Sequence, residues 1–110
     1  MRKIKTFVIN GKKFNDIEGF YKESVRILAP GFIGFGRNPD AFDDILYGGE
    51  EPFDFKEKII LVWKNFDKSK KELPQAFLRD IVEIIRNHKY HVKFKRIQKW
   101  KYINYPSHFL

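Results

Sequence analysis

The order of apolar and polar positions along the chain predicts six elements. Ile4 to Ile9, IKTFVI, is a short run of β-formers that Asn10-Gly11, a turn signal, brings to a stop. Ile17, Phe20, Tyr21, Ser24, Val25 and Leu28 then recur at the spacing of one helix face. Asp16 stands near the start of that helix, where a carboxylate suits the helix dipole, and Ala29-Pro30-Gly31 ends it. A glycine-spaced loop, GFIGFGRN, follows. Asn38 as N-cap and Pro39 in the first turn open a second, short helix. Phe42, Ile45 and Leu46 share one of its faces. Asp40, Asp43, Asp44 and Tyr47 project from the opposite arc, and Gly48-Gly49 stops it.

The stretch EEPFDF reads as a loop. Lys58 to Trp63, KIILVW, is nearly all apolar, as expected of a strand covered on both faces. Ser69 to Leu73 is compatible with a single turn of helix. Pro74 starts a long third helix, in which Phe77, Leu78, Ile81, Val82, Ile84, Ile85 and His88 fill a broad apolar arc. Tyr90 to Ile97 alternates, with Val92 and Phe94 on one side and Lys93 and Lys95 on the other, the pattern of an edge strand guarded by lysines. The resulting order, β-α-α-β-α-β, predicts an α/β fold. It is a small three-stranded parallel sheet with right-handed crossovers, packed with three to four helices.

With 110 residues, 43% of them hydrophobic and 17% aromatic, the chain suits one domain with a modest core. There is no cysteine, hence no disulfide framework and no thiol chemistry. No apolar run reaches the roughly 20 residues of a membrane span, and the opening MRKIKTFVINGKKF carries no signal-like apolar core. The expectation is a soluble, cytoplasmic protein. Residues 1–98 form the domain, and 99–110 are a basic, aromatic extension.

Charge changes the picture more than composition does. The formal net charge is +8, yet residues 40–57 hold seven of the fourteen acids against one base, a local net charge of −6. The remaining residues carry +14. Crowded like charges repel, and a cationic partner is the natural compensator.

The residues that carry this charge also carry a motif. Phe35-Gly36-Arg37-Asn38-Pro39-Asp40-Ala41-Phe42-Asp43-Asp44-Ile45-Leu46-Tyr47-Gly48 follows the pattern F-G-x-N-x-D-A-x-x-D-x-L-x-G. With the opening VING (Val8 to Gly11) and a later W-x-x-F-x-x-S-K at Trp63, Phe66, Ser69 and Lys70, it resembles the barstar family, inhibitors of barnase-type ribonucleases. The resemblance covers roughly residues 4–97. It implies a protein-binding function and no catalysis, in which a glycine loop and the following helix plug a nuclease active site. By position, Asp40 and Asp44 match the two motif aspartates, and Gly36 and Asn38 match the loop that presents them. Phe35 stands where the family has an aromatic. Gly34, Arg37 and Asp43 depart from the pattern, standing in place of an aromatic, an acid and a tryptophan. Barstar-type inhibitors are usually acidic overall, and this chain is basic. A family acid on the third helix corresponds to Glu83 or a neighbour.

The chemistry agrees with that reading. A ribonuclease cleft holds phosphates with cations, and carboxylates one helical turn apart can imitate phosphates. The expected contact set is Phe35, Gly36, Asn38, Asp40, Asp43, Asp44, Tyr47 and Glu50, with Glu51 adding to the field. The expected partner is a barnase-like or toxin ribonuclease, bound by a free monomer in a bacterial cytoplasm, with no cofactor, metal or membrane. Plainer readings stand beside each residue. Asp40 is favourable in a first helical turn in any case. Glu83 can pair with Arg79 four residues earlier, Trp63 and Phe66 suit a core, and Phe32 and Phe35 are open to either core or partner.

Two rival functions are weaker. From Ile84 onward there is no acid, while Arg86, Lys89, Lys93, Lys95, Arg96, Lys99 and Lys101 interleave with Trp100, Tyr102 and Tyr105. That composition suits an RNA-binding module, but no nucleic-acid motif supports it. The three histidines, His88, His91 and His108, form no catalytic or metal signature, and His88 on its apolar arc reads as a packed residue.

Overall fold

The computed structural model describes residues 3–32, 36–49 and 51–98. Its framework is a sheet of three parallel strands, β1 (Lys5–Asn10), β2 (Ile59–Lys64) and β3 (Val92–Ile97), in the order β1-β2-β3. Four helices accompany it: α1 (Ile17–Leu28), α2 (Pro39–Leu46), α3 (Phe66–Glu72) and α4 (Gln75–Asn87). This is the α/β order expected, with α3 and α4 together filling the last helical position. The stretch taken as a single turn at Ser69 belongs to α3, which starts at Phe66. Asn65, in a left-handed conformation before it, bonds its side-chain amide to Asn10 Oδ1 at 3.1 Å. That contact spans 55 residues of chain, so no local pattern announces it.

Strand periodicity sorts the sheet. Register brings Phe7, Leu61 and Phe94 side by side, and Ile9 beside Trp63. These positions join residues of all four helices in one core: Phe20, Tyr21 and Leu28 of α1, Phe42, Ile45 and Leu46 of α2, Phe66 of α3, and Leu78, Ile81 and Ile85 of α4. The helical layer therefore lies over one face of β2. On the other face Val62 is buried and Ile60 half-buried, so β2 is covered on both faces, less completely on the second. The lysines of β3 alternate as expected of an edge strand, with Lys93 exposed and Val92 buried.

Aromatic rings fill the centre of the core. Trp63 is fully buried, stacked on Phe20 at 5.1 Å and met edge-on by Phe66 at 5.2 Å, and its indole N–H donates to Ser69 Oγ at 3.0 Å. Gly11 lies under this corner. A Cβ there would meet Asn65 O and Ser69 Oγ, each at 2.7 Å, so the turn residue after β1 has no room for a side chain.

One buried acid has no signal in the local sequence pattern. Glu23 on α1 accepts the Asn10 backbone N–H at 3.1 Å and both Nε and Nη2 of Arg26. The hydrogen bond and charge of Glu23 raise the Arg26 guanidinium above its ordinary value. Burial likewise raises the Tyr21 phenol.

Candidate functional site

The acidic helix is built to present its first turn. Asn38 Oδ1 accepts the Ala41 N–H at 2.9 Å, and Pro39 occupies the first helical position, where no N–H is needed. Phe42, Ile45 and Leu46 anchor the helix in the core. Asp40 and Asp44 therefore leave the solvent face one turn apart. Both are exposed, and neither has an ion-pair partner among the described residues. Arg37, two residues before α2, pairs its guanidinium with Glu18 of α1, so this departure from the family pattern has an internal partner. Gly36 is half-buried beside Asn38. Phe32 remains 39% exposed. Phe35 and Glu50, both expected at the contact, lie outside the described residues.

Asp43 behaves differently from its neighbours. Its Oδ1 lies 2.6 Å from Nε2 of His88, a ring that is 3% exposed at the end of α4. Asp43, expected as a third outward carboxylate, keeps 40% of its side chain exposed and at the same time joins α2 to α4. A second link repeats the theme, with His91 Nε2 at 2.9 Å from the Leu46 carbonyl, which donation from the ring satisfies. Tyr47 packs edge-on against His88 at 4.5 Å between ring centres. His88 is thus the packed residue its apolar arc suggested, but it also orients the acidic helix. Asp43→Ala is expected to cost about 1–2 kcal/mol, since the lost bond involves a charged group but Asp43 is partly exposed and water replaces some of it. A urea titration checks this, and an unchanged midpoint would show that the link carries no stability.

The loop after α2 completes the site. Tyr47 stacks beside Phe55 at 6.0 Å, and Phe55 is 65% exposed. Lys56 Nζ lies 5.3 Å from the Phe55 ring centre. This aromatic patch borders the acidic face, and Phe55 was missing from the expected contact set. The EEPFDF segment reads only as a loop, and no local signal distinguishes the exposed Phe55 from the buried Phe53 two residues earlier. Of the window's acids, Glu57 is structural. It accepts the Asp54 N–H at 2.8 Å and meets Lys5 Nζ at 3.4 Å. Glu51 and Asp54 are exposed.

Gly48 sets the path of this loop. Its φ is +82°, and a Cβ would stand 2.4 Å from Asp54 O and 2.7 Å from the Phe53 ring. Gly48→Ala is therefore expected to destabilise the fold by more than the ~1 kcal/mol of left-handed backbone strain alone. Thermal melting reads it as a lowered Tm, and an unchanged Tm would mean the loop re-forms without cost.

Elsewhere the expected features resolve plainly. The acid nearest Arg79 is Asp80, at 3.8 Å, and not Glu83, which is exposed beside a groove. Among the described residues no cluster of three or more His, Cys, Asp or Glu is placed to hold a metal, and no helix is long and apolar enough to cross a membrane. The basic segment read as a rival site runs from 86 to 105, and 99–105 lie outside the described residues.

Residues 4–103 match the family model described as Barstar (barnase inhibitor). No individual curated protein matches the chain.

Proposed function

The chain belongs to the barstar family, whose members are ribonuclease inhibitors and not enzymes, and from that premise we propose that it blocks a barnase-type ribonuclease with the exposed face of α2. One observation carries the reading: Asp40 and Asp44 stand one turn apart, exposed, on a helix whose other side is locked into the core, with no internal base pairing them among the described residues. Carboxylates so held suit the guanidinium and ammonium groups of a phosphate-binding cleft, where desolvated, oriented pairs are strong. Complementary fields also speed encounter. Gly36 and Asn38 support the first turn. Phe35, Glu50, Glu51, Tyr47 and Phe55 are assigned to the border of the contact, and Asp43 to holding the helix through His88. The protein acts in a bacterial cytoplasm as the immunity partner of a ribonuclease toxin.

The test is inhibition of a panel of barnase-type ribonucleases by the wild-type chain, Asp44→Ala and a Lys93/Lys95/Lys99 triple alanine variant. Loss confined to Asp44→Ala supports the reading. A chain that inhibits none of the nucleases, yet binds RNA through those lysines, would overturn it.

A further inference from the structure

Four of the bases outside the acidic window line one groove. A groove of about 480 Å³ lies between α3, α4 and the edge strand β3. Its floor is apolar, formed by Phe66, Leu78 and Val82. Around it stand Lys70, Arg79, Arg86 and Arg96, against a single lining acid, Glu83. Arg96 holds its guanidinium over the Phe66 ring at 5.3 Å. Lys70 and Arg86 have no ion-pair partner among the described residues, and Arg79 has only the adjacent Asp80 at 3.8 Å. Four cations around one groove outnumber its single lining acid and repel each other unless a further anion enters.

We propose that this groove is a second binding site, for a nucleotide unit, either free or as part of a single-stranded RNA. Three of the four cations are arginines. A guanidinium offers a planar fork that binds phosphate through two parallel hydrogen bonds, and its flat face stacks on rings. The apolar floor suits a base or ribose, and the groove's size falls within the ~300–1,000 Å³ of small-ligand sites. The site is independent of the acidic helix. None of the groove's lining residues belongs to α2, and His88, which holds α2, is not among them. A ligand here therefore leaves Asp40 and Asp44 free, and the chain can hold a nuclease and a nucleotide unit together. That arrangement gives four of the 21 bases outside the acidic window a role in a protein whose proposed inhibitory face is acidic.

The experiment uses the full chain and a short fluorescein-labelled single-stranded RNA, read by anisotropy across a salt series. Unlabelled mononucleotides, inorganic pyrophosphate and polyglutamate serve as competitors. Saturable binding is expected, weakened at least ~10-fold in Arg86→Gln/Arg96→Gln, with the salt slope reduced by about two charges. All these side chains are exposed, so the variant should fold, and circular dichroism checks that it does. The control pair Lys12→Gln/Lys13→Gln, exposed bases on the turn after β1, should bind RNA nearly as the wild type does. Competition by mononucleotides identifies a free nucleotide as the source, and competition by the strand alone identifies RNA. The proposal falls if binding does not saturate, if both pairs of substitutions weaken it equally, or if polyglutamate competes as well as RNA, which would make the groove a surface for acidic protein. Ribonuclease affinity, measured on the same variants, should not change. A failure of this site is thereby separated from a failure of the inhibitor reading.

Discussion

Asp44→Ala is expected to weaken binding of the target ribonuclease by about 2–5 kcal/mol, roughly 30- to several-thousand-fold in Kd. The reason is asymmetry. In the free protein Asp44 is solvated and lacks an ion-pair partner among the described residues, so its removal costs the fold little. In the proposed complex the same removal would strand a cation in a desolvated cleft, and most of the loss would be that stranded charge. Asp40→Ala should cost less, because Asp40 sits in the first turn and divides its field between the helix N-terminus and the partner. The two effects should not add, since both carboxylates face one cluster of charge. Isothermal titration of the single and double variants, with urea melts to show unchanged stability, reads all of this. An Asp44→Ala affinity within about twofold of wild type would remove the acidic face from the interface.

Trp63→Ala should be the most damaging single change to the fold, at about 3–5 kcal/mol. Small domains hold only ~5–15 kcal/mol in total, so a large part of the population could unfold at ambient temperature. The indole has no exposed surface, touches Phe14, Phe20 and Phe66, and satisfies the buried Ser69 hydroxyl. Trp63→Phe keeps most of the apolar contact but orphans Ser69 Oγ, and should cost about 1–3 kcal/mol. Urea denaturation followed by far-ultraviolet circular dichroism compares the three chains. Equal midpoints for Trp63→Ala and wild type would show that the ring stack near the C-terminal end of β2 is not what holds the core together.

Much of the fold was legible in the chain because it rests on short-range rules. A helix face repeats every three or four residues, so Phe20, Tyr21, Ser24 and Leu28 marked α1, and Asn38-Pro39 marked the start of α2. The candidate site was legible to the same extent. Asp40 and Asp44 are four residues apart on a helix whose core stripe was already apparent, and their exposure follows from phase alone.

Asp43 shows where that reasoning stops. Helical phase places it beside Asp44, but its partner His88 comes from another helix 45 residues later. Only packing decides that one carboxylate meets a buried ring and its neighbour does not. Glu23 is a parallel case: its place on α1 gives no hint that the end of β1 will bring the Asn10 N–H to it. Phe53 and Phe55 have nearly identical surroundings in sequence, and yet one is buried and the other borders the acidic face.

By itself, then, the sequence determined the elements, their caps, the parallel α/β order and the outward Asp40/Asp44 pair, since each depends on neighbours within a few residues. The tertiary structure alone decided the order β1-β2-β3, the tie from Asp43 to His88, the Tyr47/Phe55 border and the basic groove that brings Arg86 and Arg96 around Phe66. Each of these joins groups from separate elements, and their distances are set by how the helices pack over the sheet rather than by spacing along the chain.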